Sequence, residues 1–355
     1  MTKRAAGILC VSLLALSGAI AQKRKSRKPD EEPKPQILGN LPELPDAIAV
    51  ETGRLSFQVS PLSDKGLLSQ QARDAIKAIA RLNHGGTIVK LRAFVAGSGD
   101  LRRIKEIVAE EMTERKQPLP VVSTIQVGAL PMTGAQVVME AVSSEKKVVN
   151  PAGLVIAASG APRSAAAAVG QLQASFAQVG VKAPQVLRVT CFLGSLEDSA
   201  PARAAVAAAF PMSSANFVQR ERLGVEVQVT CEGIGQLSGP VVEQSGLAAA
   251  HSGFALLSQP KLVLTGAQLV FRDQDADFRL AYQRLTKTIA GAGANPQDVI
   301  WRSAYVLAAP DAGRIESAER EFLGRSRDAA GLVVQVEGLP STDATAAIEW
   351  IAAVR

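Results

Sequence analysis

One pattern of apolar strands and helices occurs three times along the chain, and this repetition constrains the fold more than any other feature. Three segments align without gaps: IVKLRAFV at 88–95, VLRVTCFL at 186–193 and VIWRSAYV at 299–306. Each has an aromatic residue at its seventh position, which is Phe94, Phe192 or Tyr305. Because the segments lie roughly one hundred residues apart, each repeat has the size of a whole domain rather than of a solenoid unit.

Helical sequence surrounds each of these central strands. Before them lie LSQQARDAIKAIARL, AAAAVGQLQASFAQVG and DFRLAYQRLTKTIAGAG, with apolar residues recurring every three or four positions. Gly85, Gly180 and Gly291 are expected to end these helices, since glycine favours the helix C-terminus. A second helix is predicted after each strand, from LRRIKEIVAEEM, PARAAVAAAF and GRIESAEREFL.

Each repeat ends in two further strands, and the second of them carries an acid: Glu140, Glu232 or Glu349. More strand sequence precedes each first helix, in RLSFQVS, GLVIAASGA and KLVLTGAQLVF. We therefore predict repeat 1 at residues 51–142, repeat 2 at 146–236 and repeat 3 at 243–355. The common order is strand, helix, strand, helix and two strands.

This order of elements, with its SGA or TGA strand and its final strand pair, resembles the reactive intermediate deaminase (Rid, YjgF-type) family. The resemblance implies an α+β fold, in which each chorismate-mutase-like domain has a mixed sheet with two helices on one face. Members of the family form homotrimers with a ligand cleft between neighbours. Three tandem copies therefore imply an intramolecular pseudo-trimer, formed by a monomer, with room for a small-molecule ligand between the repeats.

The family hydrolyses imine or enamine intermediates, and an Arg in a P-x-R-S strand binds the substrate carboxylate in a bidentate manner. Aligned with that motif, this chain has Val122, Ser213 and Gly331 where the Arg is expected. Ser123 and Ser214 align with the motif serine and are candidate substrate-binding residues. The resemblance thus implies that the carboxylate clamp is missing from all three repeats.

By the same resemblance, Glu140, Glu232 and Glu349 align with a glutamate that positions the attacking water, and they are the candidate catalytic residues. Arg220 and Arg222 are candidate substitutes for the missing Arg. Three arginines of the central strands are further possible substitutes: Arg92, Arg188 and Arg302. The alternative for all five arginines, which we favour, is an exposed position or one at a sheet edge.

Three functions are compatible with these features. The first is a catalytically degenerate Rid-like protein that binds a small molecule or a partner. The second is an active deaminase or related hydrolase of enamine or imine intermediates, with a rebuilt cleft. The third is a structural or interaction module of the cell envelope.

The N-terminus predicts export. Lys3 and Arg4 precede an apolar stretch, and Ala19-Ile20-Ala21 is typical of a signal-peptide cleavage site, so residues 1–21 are predicted to be removed. Residues 22–50 are basic and rich in proline, as expected of an extended linker. We expect a periplasmic or extracellular location, with no transmembrane segment after the signal, although retention of the signal as an anchor is an alternative.

The remaining composition excludes several functions. The signal carries +2 and residues 22–36 carry +3 of the net charge of +6, so the rest of the chain is close to neutral and does not predict nucleic-acid binding. Two histidines and the absence of a C-x-x-C motif argue against a metal site, and no cofactor is expected. Cys191 and Cys231 lie in apolar strands, which favours two buried thiols, although an exported protein could link them by a disulfide.

Overall fold

The computed structural model describes residues 42–44, 47–51, 55–97, 99–144, 153–221, 228–237, 254–256, 261–324 and 329–354. The predicted signal peptide and most of the linker lie outside these residues, as do residues 146 and 243, where repeats 2 and 3 were predicted to begin. The described residues belong to one compact unit, Leu41–Arg355. Among them, no helix has the length and apolar character needed to cross a membrane.

The described residues form strands, α-helices and short 3-10 turns in an order that repeats three times. The strands are β1 (Ala47–Glu51), β2 (Leu55–Val59), β3 (Thr87–Ala96), β4 (Val121–Val127), β5 (Val137–Ser144), β6 (Gly153–Ala158), β7 (Val186–Leu193), β8 (Ser214–Gln219), β9 (Thr230–Gln236), β10 (Phe254–Leu256), β11 (Lys261–Thr265), β12 (Gln268–Phe271), β13 (Val299–Val306), β14 (Ala330–Gln335) and β15 (Ala344–Val354). The α-helices are α1 (Leu68–Leu82), α2 (Leu101–Glu114), α3 (Ala165–Gln178), α4 (Ser199–Ala209), α5 (Asp275–Gly291) and α6 (Ala309–Leu323). The 3-10 turns are Ala183–Gln185, Leu196–Asp198 and Pro296–Asp298.

Each repeat contributes one mixed sheet. The strand orders are β2-β5-β3-β4, β1-β6-β9-β7-β8 and β10-β11-β15-β13-β14, with β12 also pairing with β15. In every sheet the central strand (β3, β7 or β13) runs parallel to the next strand of the chain and antiparallel to the last strand of the repeat. A helix makes each parallel crossover, as a parallel connection requires. The predicted α+β fold is confirmed in all three repeats.

The two helices of each repeat cover one face of its sheet. In α1 the buried residues Ala72, Ala75, Ile76 and Ile79 recur every three or four positions, so the helix presents one apolar stripe to the sheet. Each repeat has a separate apolar core between its helices and its sheet. Gly291, which was expected to end α5, is the last residue of that helix. The glycine with a positive φ comes two residues later and is Gly293, with a φ of 82°.

The other faces of the three sheets pack against one another. Phe94, Phe192 and Tyr305 meet there, with ring centroids 6.1 to 6.5 Å apart in all three pairings. A second shared apolar cluster combines residues of all three repeats, including Val89, Leu187 and Leu262. Since a sheet with helices on one face needs cover on the other, the three repeats cover one another as an intramolecular pseudo-trimer.

Two features differ from the expectations. Strand β1 spans the end of the predicted linker and the first residue of predicted repeat 1, and it pairs with β6, so this segment adds a strand to the sheet of repeat 2. The expectation of two separate thiols is wrong, because Cys191 and Cys231 form a disulfide. The two cysteines lie directly opposite each other on the antiparallel strands β7 and β9, which places both side chains on the helix-covered face.

Candidate functional site

The three predicted glutamates occupy equivalent places in the three sheets. Each lies opposite the residue two positions before the central aromatic, and the pairs are Arg92–Glu140, Thr190–Glu232 and Ser303–Glu349. Because side chains alternate between the faces of a strand, this spacing puts all three carboxylates on the shared inner faces. At most 5% of each residue is exposed.

Arg92 joins two of these carboxylates across the boundary between repeats 1 and 2. Its Nη1 donates to Glu140 Oε2 at 2.9 Å, while its Nε donates to Glu232 Oε2 at 2.9 Å and its Nη2 to the same oxygen at 2.5 Å. The guanidinium also lies 5.5 Å from the centroid of Phe192 and 5.9 Å from that of Phe94, within the range of a cation–π contact. Arg92 is therefore held by both repeats.

Lys90 makes a second contact between the same repeats. Its Nζ donates to Glu232 Oε1 at 2.9 Å and to the hydroxyl of Ser123 at 2.5 Å. Both oxygens of Glu232 thus accept bonds from cations of repeat 1.

Repeats 2 and 3 are joined in the same way through Glu349. Arg188 forms an ion pair with Glu349 Oε1, and Asn216 Nδ2 donates to Glu349 Oε2 at 3.0 Å. The hydroxyl of Tyr305 lies 3.5 Å from Oε1 and makes a long hydrogen bond to it. The described part of the inner face therefore contains three carboxylates and three paired cations: Glu140, Glu232, Glu349, Lys90, Arg92 and Arg188. We call this set the central ion cluster.

Burial shifts the protonation of this cluster. Burial raises the pKa of Glu140 to about 7, against the opposing effect of Arg92. Burial would also raise the pKa of Glu232, but the charges of Arg92 and Lys90 outweigh it and hold that pKa well below its ordinary value. Burial lowers the pKa of Lys90 to about 8. A pKa of about 7 allows Glu140 to exchange a proton near neutral pH.

A cavity of about 70 Å³ adjoins the cluster. Its polar walls are Lys90, Arg92, Glu140, Arg188, Thr190 and Glu232, and its large apolar walls are Phe57, Val142, Ile156, Ile234, Trp301 and Ile351. We call it the central cavity. It is much smaller than the pockets of several hundred Å³ that hold drug-sized ligands, and its volume suits a molecule of a few heavy atoms.

The structure brings only some of the predicted binding residues to this cavity. Ser123 belongs to the site through its bond with Lys90. Ser214 instead donates to the backbone carbonyl of Leu187, and Arg220 Nε donates to the carbonyl of Gln228, so both have structural roles. Arg222 lies outside the described residues.

Strand register corrects the alignment of repeat 2. Arg92 pairs with Ser123, and the equivalent residue Thr190 pairs with Asn216 rather than with Ser214. Asn216 is therefore the counterpart of Ser123, and Ala215 takes the place assigned to Ser213. The motif Arg is still absent, since the three positions hold Val122, Ala215 and Gly331.

Close packing explains why repeat 3 has a glycine, Gly331, at the position of the motif Arg. A Cβ on Gly331 would lie 2.0 Å from the backbone oxygen of Arg302 and 2.4 Å from its Cγ, so no larger residue fits. Arg302 faces the helices, where it forms an ion pair with Glu319 of α6. Glu319 also accepts a bond from the Tyr282 hydroxyl at 3.1 Å. Arg302 is thus part of the core of repeat 3, not of the central ion cluster.

The expectation that Arg92, Arg188 and Arg302 are exposed or at a sheet edge is wrong. Arg188 is 5% exposed, and the side chains of Arg92 and Arg302 are 13% and 20% exposed, each in an ion pair. Lys90 was not predicted at all. The alternation of side chains along a strand could have indicated it, because Lys90 and Arg92 are separated by even numbers of residues from Phe94 and so share its face.

The described residues contain no group of side chains arranged to hold a metal ion. The arrangement can instead hold a small molecule against a carboxylate and exchange a proton with it at Glu140.

Comparisons with known proteins agree with the fold. No protein-family model and no curated protein matches the sequence. Among solved structures, a chorismatase is 12% identical and has a TM-score of 0.56; the match covers 86% of this chain and 100% of the chorismatase. This likeness extends over all three repeats and shows the fold alone.

Single-domain proteins match one third of the chain. A member of the YjgF/YER057c/UK114 family from Mycobacterium tuberculosis is 22% identical with a TM-score of 0.28, covering 32% of this chain and 98% of its own. RidA from the Antarctic bacterium Psychrobacter sp. is 16% identical with a TM-score of 0.28, covering 33% and 100%. The predicted three tandem Rid-like domains are confirmed at the level of the fold by the three mixed sheets, each with two helices, and by the chorismatase match over 86% of this chain.

Proposed function

We propose that this chain is an exported, Rid-like pseudo-trimer that does not hydrolyse amino-acid-derived imines and instead binds a small molecule in the central cavity. One observation carries the proposal: every cation of the central ion cluster is already paired with a glutamate of the chain. Within the part of the cluster that the structure describes, a substrate carboxylate therefore finds no unpaired guanidinium.

The pairing is difficult for a free carboxylate to displace. Glu232 is held by Lys90 and Arg92 at 2.5 to 2.9 Å, and its covalent attachment gives it a high effective concentration at the cations. If a free carboxylate displaced Glu232 from these cations, the buried carboxylate of Glu232 would be left unpaired, at a cost of about 3–5 kcal/mol. This cost would offset the free energy gained by binding one small acid.

An assay with 2-iminopropionate tests the proposal. We expect no acceleration of its hydrolysis to pyruvate and ammonia by the purified protein, alongside a single-domain RidA as positive control. Turnover at a rate similar to that of the control would contradict the proposal.

An active hydrolase of enamine or imine intermediates, with a rebuilt cleft, is the second candidate. It is favoured by Glu140, whose pKa of about 7 suits a general acid or base, and by the full-length structural neighbour, which is named as a chorismatase and thus as an enzyme. If this candidate is right, turnover of some imine or enamine substrate should depend on a group with a pKa of about 7 and be lost in Glu140→Gln.

A structural module of the envelope is the third candidate, and the ion pairs between repeats favour it, because they serve the assembly of the core without any ligand. Export itself is supported by the disulfide, which persists in oxidising compartments. Fractionation and N-terminal sequencing of the mature protein test export, and we expect a periplasmic or secreted chain beginning at Gln22. A cytoplasmic chain that retains Met1 would contradict it.

A further inference from the structure

Glu140 presents a buried acceptor without a partner beside the central cavity. Its Oε2 accepts from Arg92, whereas its Oε1 has no hydrogen-bond partner among the described residues. The residue is 3% exposed and lines the cavity. A buried carboxylate oxygen without a hydrogen bond is costly, so a molecule that donates an N–H or O–H to it would be stabilised there.

The charge of the site selects against ions. The central ion cluster has three cations and three carboxylates, and each cation already has a carboxylate partner. An added carboxylate would lie close to Glu140 and Glu232, and an added ammonium close to Lys90, Arg92 and Arg188. In a buried site of low dielectric constant, either ion would lose its hydration without gaining an unpaired counter-ion.

The volume of the cavity and its apolar walls favour a small ligand with an apolar end. About 70 Å³ holds roughly five water-sized volumes, which limits the molecule to a few heavy atoms. Phe57, Ile156 and Trp301 also line the cavity and offer an apolar surface to a short alkyl group.

We propose that the central cavity binds a small uncharged hydrogen-bond donor with a short alkyl end, of the class of C2–C3 primary amides and alcohols. The amide N–H or the hydroxyl donates to Glu140 Oε1, and the alkyl end packs against Trp301 and Phe57. This inference rests on the proposed function, since it names the chemical class of the small molecule bound at that site.

Three probes of similar size and different charge test the proposal: propionamide, propionate and propylammonium. Each is titrated into the intact protein by isothermal calorimetry or by NMR, at a pH above the pKa of Glu140. We expect saturable binding of propionamide and at least tenfold weaker binding of the two ions. Ile234→Phe, which fills the cavity, should abolish propionamide binding, whereas Leu280→Phe on the exposed face of α5 should not change it.

Glu140→Gln tests the charge of the acceptor while leaving the shape of the cavity nearly unchanged. The variant keeps an oxygen acceptor but loses its charge, so propionamide affinity should fall about tenfold. Tighter binding of propionate than of propionamide would overturn this inference while leaving small-molecule binding intact. If none of the three probes binds, both the inference and the proposed binding function are overturned. Propionamide binding that Ile234→Phe leaves unchanged would also overturn the inference, because the site would lie elsewhere.

Discussion

Replacing Arg92 by Met should destabilise the protein more than any surface substitution. Arg92 is the donor to Glu140 Oε2 and one of two cations on Glu232, and both carboxylates are buried. Breaking a buried ion pair costs about 3–5 kcal/mol, because the partner is left charged without compensation. Met retains much of the volume of Arg, so the loss is mainly electrostatic.

The size of the effect should depend on pH. With a pKa of about 7, Glu140 can avoid the penalty by taking up a proton, whereas Glu232, whose pKa is held well below its ordinary value, remains charged beside Lys90. We therefore expect Arg92→Met to lower the free energy of unfolding by about 4 kcal/mol above the pKa of Glu140, and by less below it.

Urea denaturation of the wild type and variants on either side of that pKa measures the effect. Arg102→Met, at a side chain that is 91% exposed, is the matched control and should change the free energy of unfolding by less than about 0.5 kcal/mol. The double variant Arg92→Met/Glu140→Gln should recover about 1–2 kcal/mol, since it removes the stranded charge. A loss below about 1 kcal/mol in Arg92→Met would refute the reasoning.

Three further predictions follow from the same structure. The raised pKa of Glu140 means that the folded state binds this proton more tightly than the unfolded state, so its stabilising effect is complete at low pH and is lost as the pH rises through about 7. Glu140→Gln should remove about 3 kcal/mol of the change in the free energy of unfolding between pH 4.5 and pH 7, seen as a flatter plot of urea midpoint against pH; an unchanged slope would contradict the shift. Cys191→Ala/Cys231→Ala should lower the free energy of unfolding by about 4 kcal/mol, because the disulfide closes a sequence separation of 40 residues; equal denaturation midpoints with and without reductant would argue against the bond. Sedimentation equilibrium should give the mass of one chain, and a stable mass of three chains would contradict the intramolecular pseudo-trimer.

Much of the fold could be predicted from the sequence because the repeats share their hydrophobic periods. The helical spacing in 68–82 and the glycine after α3 are local signals, and three imperfect copies support one another. The equivalence of Glu140, Glu232 and Glu349 was also predicted, because each repeat has an acid near the end of its last strand. Strand β1 could not be predicted in this way, since its partner β6 lies about one hundred residues away in another repeat.

The site was harder to predict because its residues come from different repeats. Lys90 of repeat 1 meets Glu232 of repeat 2, and Arg188 of repeat 2 meets Glu349 of repeat 3. A motif read within one repeat cannot show such pairs. It also misplaced the serine of repeat 2, because Asn216, two residues later, is the structural counterpart of Ser123.

Acetate binding by the wild type and by Glu232→Gln tests most directly whether the cations of the site are already occupied. The substitution removes the carboxylate that pairs with Lys90 and Arg92 but keeps a side chain of nearly the same shape. We expect saturable acetate binding to Glu232→Gln by isothermal calorimetry and none to the wild type at the same concentrations. Equal binding of acetate to both proteins would show that a free cation exists in the native site and would contradict the account.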